Sequence, residues 1–189
     1  MKRIAVIDST IREESRTRAI MEHVLKRKDV EFFVFNLNNY HLFPTNSENF
    51  KVKDTDEMFL NIARDIANSD GLIIVAPFWD MSYPALLKNF FEKISVINIM
   101  FIDDGKTCVG ISKNKFMLYI TTRGTNIKDL SEMDGASLSL KSLCCLWGIP
   151  KFECVSAYNL DYISEEEIKT KLIEASNKAD RILTELLKD

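Results

Sequence analysis

The sequence predicts an α/β domain: a five-stranded parallel sheet in strand order 2-1-3-4-5, covered by helices on both faces. Three observations predict it. Short apolar runs of strand length alternate with longer amphipathic segments along the whole chain, and such alternation implies a parallel sheet between two helical layers. One run, Gly71–Ala76 (Gly-Leu-Ile-Ile-Val-Ala), is apolar throughout, as a central strand covered on both faces must be. No linker, repeat or low-complexity tract divides the 189 residues, so residues 1–189 read as one domain, long enough to bury roughly 70% of its unfolded surface.

The elements follow in order. Arg3–Ile7 is a β-rich run. Ser15–Lys26 reads as a helix, with Ile20 and Val24 four apart and Ala19 beside them. Glu31–Asn36 is the second strand, with Phe33 and Phe35 alternating, and the polar stretch Asn38–Lys53 follows. Asp54–Ser69 predicts a helix, with Asp54 and Glu57 at capping-box spacing. Gly71–Ala76 is the third strand. Pro84–Ile94 is the next helix, with Pro84 tolerated in its first turn. Lys115–Thr121 is the fourth strand. Met133–Trp147 is helical and stops at Gly148, with Pro150 beyond. Phe152–Ser156 is the fifth strand. Ser164-Glu-Glu-Glu167 is a capping box opening the last helix, whose apolar positions are Ile168, Leu172, Ala175, Ala179, Ile182 and Leu186. One irregularity interrupts the alternation. In Ile99–Ile111 an Asp-Gly pair lies between Met100–Ile102 and Thr107–Val109, which predicts a small hairpin inserted in a crossover, a lid or a subunit contact. Five strands joined by right-handed crossovers favour the flavodoxin-like three-layer sandwich.

Composition narrows the function. The chain has 25 basic and 28 acidic residues and a formal charge of −3, without the basic excess expected of a nucleic-acid binder. The uncharged apolar runs Gly71–Trp79 and Ser95–Ile102 fall short of the ~20 residues of a membrane span, and the opening Met1–Asp8 meets an acid too soon for a signal peptide. No nucleic-acid or membrane partner is expected, and the expected compartment is the cytoplasm. Cys108, Cys144, Cys145 and Cys154 form no C-x-x-C pair and stand apart from His23 and His41. No zinc site is readable. All four cysteines are expected to be small buried hydrophobes in a reducing compartment.

In an open parallel sheet, ligands bind at the carboxyl ends of the strands, beside the point where strand order reverses. Three loops meet there: Asp8–Glu14, Pro77–Tyr83 and Thr122–Leu130. The first has no glycine, which excludes the G-x-G-x-x-G and Walker A phosphate loops. It offers hydroxyls at Ser9, Thr10, Ser15 and Thr17 and a guanidinium at Arg16. At a helix start these suit an anion such as a terminal phosphate monoester, although Ser15 equally fits a plain N-cap. In the second loop, Phe78 and Trp79 suit either a flat apolar ligand or a corner of the core or of a subunit interface. The third, Thr121-Thr-Arg-Gly-Thr-Asn126, suits the polar edge of a heterocycle or an ordinary strand-exit turn.

A phosphate pocket, an apolar wall and a polar heterocycle edge are the three parts of flavin mononucleotide (FMN). Together the segments resemble the FMN-dependent NAD(P)H oxidoreductases of the azoreductase and quinone reductase family, most specifically in Asp70–Lys88. The resemblance implies that Ser9, Ser15, Arg16 and Thr17 hold the phosphate. It implies that Pro77, Phe78, Trp79, Asp80 and Met81 border the isoalloxazine, and that Thr122, Arg123, Gly124 and Thr125 form the third flavin loop. Asp80 stands where the family usually has asparagine, and Thr125 where it commonly has glycine. Asp80 is expected to lower the flavin midpoint potential or to be held protonated by burial, the alternative being that it points to solvent or caps the helix beginning near Pro84.

The activity implied is transfer of two electrons from NADH or NADPH, through FMN, to a quinone, azo compound or similar small aromatic acceptor. The mechanism implied is ping-pong, with no catalytic side chain and no metal, in a homodimer for which Phe78, Trp79 and Phe101 supply exposed aromatic surface. A flavodoxin-type electron carrier or a non-catalytic flavin binder is the alternative. A response-regulator receiver needs a lysine after the fifth strand, which Ser156–Asn159 lacks. A small tyrosine phosphatase needs a cysteine in the first loop, which is also missing.

Overall fold

The computed structural model of the chain describes residues 1–49 and 55–188. Its elements are β1 (Lys2–Asp8), α1 (Arg16–Val24), β2 (Val30–Asn36), α2 (Glu57–Ala67), β3 (Gly71–Val75), α3 (Ala85–Ile94), β4 (Phe101–Asp103), β5 (Cys108–Gly110), β6 (Phe116–Thr122), α4 (Gly135–Trp147), β7 (Lys151–Ala157) and α5 (Glu165–Leu186). The main sheet runs β2-β1-β3-β6-β7 and every pair in it is parallel. With the β4–β5 hairpin set aside, this is the predicted order 2-1-3-4-5.

Successive residues of a strand point to opposite faces, and here both faces are covered. Ala5, Ile7, Leu72, Ile74, Met117 and Tyr119 pack with Phe59, Ile66, Leu87, Phe90, Leu140 and Trp147 of α2, α3 and α4. Ile4, Val6, Ile73, Val75, Leu118 and Ile120 pack with Ile20, Val24, Ala179 and Leu183 of α1 and α5. All five residues of β3 are buried, each large one contributing roughly 1.5–3 kcal/mol. A carboxylate at Ile74 would be buried without a partner and would break this layer.

Caps fix the helix ends near the loops. Ser15 accepts from the Arg18 N–H at 3.2 Å, and Ser164 and Glu167 form the expected capping box of α5. At α2 the cap is Asp56, whose carboxylate accepts from the N–H groups of Met58 and Phe59. The expected cap Asp54 lies outside the described residues. Starting at Glu57 turns Phe59, Leu60 and Ala63 into the core. α4 ends on Gly148 at φ +77°.

The predicted hairpin is present, with Phe101 opposite Gly110 and Asp103 opposite Cys108. Its turn is held by Asp103 and Asp104, which accept from the N–H groups of Gly105, Lys106 and Thr107. A Cβ on Gly110 would lie 2.0 Å from the Gly148 nitrogen. The hairpin base therefore rests on the C-terminus of α4, at the sheet edge where β7 begins, and not over the carboxyl edge. The cysteines are not all buried. Cys144 and Cys154 are; Cys108 and Cys145 are exposed, on the outer faces of the hairpin and of α4. Burial pushes the Cys144 thiol up to about 12. Among the described residues no helix is long and apolar enough to cross a membrane.

Candidate functional site

At the carboxyl edge the first loop begins by folding on itself. Asp8 accepts from the Thr10 N–H at 2.8 Å and its hydroxyl at 2.6 Å, and pairs with Arg18 at 3.4 Å. The Ser9 N–H and hydroxyl both donate to the Val75 carbonyl, at 2.9 and 3.2 Å. Residues 8–10 are thus buried and internally paired. The segment that opens toward a cavity of about 650 Å³ is Ile11, Arg12, Glu14, Ser15, Arg16 and Thr17. Arg16 and Thr17 begin α1, so their N–H groups have no carbonyl within the helix and carry its positive end. The Arg16 guanidinium lies 3.7 Å from Glu165. The Thr17 hydroxyl is engaged with that of Thr122 at 2.6 Å.

From the second loop, Pro77, Phe78 and Trp79 line the cavity. The Phe78 N–H donates to the Thr122 carbonyl at 3.1 Å, locking this loop to the third. The chain then reverses over Asp80 and Met81: Trp79 and Ser82 exchange two backbone hydrogen bonds of 2.8 Å. Both central residues have positive φ, +48° and +65°, as a type I′ turn requires. Asp80 and Met81 are exposed and are not among the residues lining the cavity. A Cβ on Gly135 would lie 2.7 Å from the Met81 carbonyl oxygen, so the glycine lets this turn lean on the start of α4.

The third loop supplies Thr122, Arg123 and Gly124 to the lining, but not Thr125. Arg123 is 1% exposed. Its guanidinium donates to Asp134 at 2.8 Å and to the Ile127 carbonyl at 3.1 Å, and lies 2.9 Å from Asp129. The Phe78 ring centroid is 4.7 Å from its Cζ. Asp134 is fully buried and caps α4 by accepting from the Ser137 N–H at 3.0 Å. Burial opposes ionisation of Asp134, yet the hydrogen bonds from Ser137, Arg123 and Leu130 outweigh it and hold the carboxyl below its ordinary value. A Cβ on Gly124 would meet the Asp161 carboxylate at 1.8 Å, so a larger residue there requires that exposed side chain to move.

Nine of the expected site residues therefore share one cavity: Ser15, Arg16, Thr17, Pro77, Phe78, Trp79, Thr122, Arg123 and Gly124. Ser9, Asp80, Met81 and Thr125 lie outside its lining. Sequence reasoning missed a further wall, made by Leu160, Asp161, Glu165, Ile168, Lys169 and Leu172. The signal for it was the strand order itself, which sets the fifth sheet strand beside the fourth and so brings their carboxyl-end loops together. Backbone bonds join the two: Asn159, Leu160 and Asp161 donate to Thr125, Arg123 and Gly124. Among the described residues no group of three or more His, Cys, Asp or Glu could hold a metal ion.

Residues 2–127 match the family described as NADPH-dependent FMN reductase. The chain belongs to that family. The match spans the first two loops and ends within the third. The chain is 29% identical over 199 aligned positions to the FMN-dependent NADH:quinone oxidoreductase of Clostridium beijerinckii, covering 95% of this chain and 96% of that one. It is 28% identical over 196 positions to a Clostridium perfringens enzyme of the same description, with the same coverage. The fold is shared with an FMN-dependent NADH-azoreductase from Bacillus anthracis solved in complex with FMN, at TM-score 0.79 and 16% identity over 96% of this chain and 99% of that one. It is shared too with the NAD(P)H:quinone oxidoreductase of Methanothermobacter marburgensis, at TM-score 0.75 and 15% identity over 96% and 98%.

Proposed function

We propose that this FMN reductase family member binds FMN in the 650 Å³ cavity and is an NAD(P)H oxidoreductase. Electrons pass from NADH or NADPH to a quinone, azo compound or similar small aromatic acceptor. Residues 1–189 act as one FMN-binding domain. The observation that carries the reading is the convergence of a helix N-terminus, an aromatic pair and a glycine-bearing loop on one crevice. Its size lies in the ~300–1,000 Å³ range of small-molecule sites.

The residues fit the cofactor part by part. The N–H groups opening α1, the Ser15 hydroxyl and the Arg16 guanidinium offer donors and positive charge to a phosphate. Arg16 already faces an anion, Glu165, whose place the phosphate takes. The Thr17 hydroxyl is held by Thr122, so Thr17 contributes its N–H. Ser9 supports the loop from behind through Val75. Phe78 and Trp79 provide a wall for a flat ring system, and Thr122 to Gly124 provide backbone donors and acceptors for its polar edge. Asp80, Met81 and Thr125, outside the cavity lining, reach the cofactor only at its periphery in this reading. FMN, when bound, supplies the two-electron redox chemistry that the side chains lack. The protein orients the reactants, and donor and acceptor, sharing one crevice, take turns there in ping-pong order.

The chain works in this reading as a cytoplasmic homodimer with the crevice near the interface, where Trp79, 37% exposed, finds cover. A fully active monomer at micromolar concentration in sedimentation contradicts the dimer. The phosphate assignment is tested with Ser15→Ala combined with Arg16→Ala. FMN affinity is expected to fall by about 3 kcal/mol, roughly 100-fold, while riboflavin, which lacks the phosphate, changes little. Equal losses for the two ligands refute the assignment.

A further inference from the structure

Arg123 looks at first like an anion donor, because it sits between Thr122 and Gly124 on the cavity wall. Its geometry says otherwise. The side chain has 0% exposure, so a ligand in the cavity reaches Arg123 only through its main chain. Behind the wall the guanidinium gathers five partners: Asp134, Asp129, the Ile127 carbonyl, the Cys154 sulfur and the Phe78 ring. Its Nε has no hydrogen-bond partner among the described residues. An unsatisfied buried donor calls for a physical reason, and an apolar side chain would fill the same space at less desolvation cost. A guanidinium offers what an apolar chain cannot: a flat face for an aromatic ring, with donors pointing sideways in the same plane. Its Cζ lies over the Phe78 ring, 4.7 Å from the centroid, and Phe78 lines the cavity. The donors fix the loop from Ile127 to Asp134, and the backbone N–H receives its own anchor by donating to the Ala157 carbonyl at 2.8 Å.

We propose that Arg123 is a positioning residue for the flavin site, holding the Phe78 ring and the third loop in place from behind without its side chain touching the cofactor. This rests on the FMN reading above. The test uses full-length protein and FMN and riboflavin as probes, with Arg123→Lys, Phe78→Leu and the double variant. Lysine keeps the charge but loses the planar face and the fork. Arg123→Lys is expected to weaken FMN and riboflavin equally, by roughly tenfold each, and to change the visible spectrum of the bound flavin. The double variant is expected to lose less than the sum of the two single losses, because both changes remove the Arg123–Phe78 contact. If the lysine variant loses its cooperative thermal transition, Asp129→Asn, which leaves the Asp134 cap intact, replaces it with the same expectations in direction. Unchanged affinity and spectrum, or additive losses in the double variant, overturn the proposal. A wild-type chain that binds neither flavin overturns the functional reading itself, an outcome separate from either of those.

Discussion

Gly124→Ala adds one methyl group at the point where two loops of the site touch. Its Cβ would lie 1.8 Å from Asp161 Oδ2, 2.4 Å from Cγ and 2.8 Å from Oδ1. The carboxylate must retreat about 1.6 Å to regain ordinary contact. Two routes exist. The loop after β7 can lift, straining the hydrogen bonds from Asn159, Leu160 and Asp161 to residues 123–125, which are 3.0–3.2 Å long. Alternatively the carboxylate swings into the cavity that Asp161 already lines. The first costs stability, about 1–3 kcal/mol for an overpacked site. The second places a negative charge where an anionic cofactor must sit. Either route weakens FMN, by about tenfold or more for each ~1.4 kcal/mol. The assay pairs urea unfolding of the apoprotein with FMN titration by fluorescence quenching, for Gly124→Ala, Asp161→Ala and the double variant. Asp161→Ala is expected to restore most of what Gly124→Ala loses. Wild-type FMN affinity in Gly124→Ala, or no rescue in the double variant, refutes the steric argument.

Three further outcomes are expected. Asp134→Asn keeps an N-cap but leaves Asp129 as the one carboxylate paired with buried Arg123, so urea unfolding should show a loss of about 3 kcal/mol. The same group sets a pH dependence. Asp134 titrates below its ordinary 3.8 in the folded chain, so on acidification the unfolded chain takes up the proton first. Its contribution is complete above about pH 4 and is lost as pH falls toward the folded value, and the stability–pH curve should be flatter below pH 4 in Asp134→Asn. Met81→Gly relieves a left-handed φ of +65° and should raise stability by about 0.5–1 kcal/mol, read from the urea midpoint. Asp80→Asn should move the flavin midpoint potential by less than about 30 mV, the equivalent of ~1.4 kcal/mol, because Asp80 is exposed and water screens it. A larger rise would restore the expectation that its charge tunes the flavin.

The sheet was legible because burial on both faces leaves a signature in one chain segment: Gly71–Val75 has no polar residue to place. The α2 cap was not, because Asp54 and Asp56 both lie within reach of a helix start and the choice depends on which register turns Phe59 and Leu60 toward the sheet. In the site, the first-loop hydroxyls could be listed from sequence but not sorted. Ser9 faces inward because β1 carries it beside Val75, and Ser15 faces the cavity because α1 starts there. Arg123 could be assigned to the third loop from sequence, but its partners could not. Its carboxylate partners come from residues 129 and 134, a pairing set by where α4 docks rather than by spacing. The α5 wall was invisible as chemistry, since Ile168 and Leu172 read as core positions and Glu165 as part of a capping run.

The central claim is that this crevice holds FMN in a state that a nicotinamide can reduce. An anaerobic titration of the FMN-loaded protein with NADH, and separately with NADPH, followed in the visible absorption band of the flavin, tests it most directly. The band is expected to bleach with one equivalent of at least one of the two nucleotides and to return in full when a quinone is added afterwards. A protein that retains FMN but whose band is unmoved by either nucleotide contradicts the claim and points to an electron carrier or a passive flavin binder.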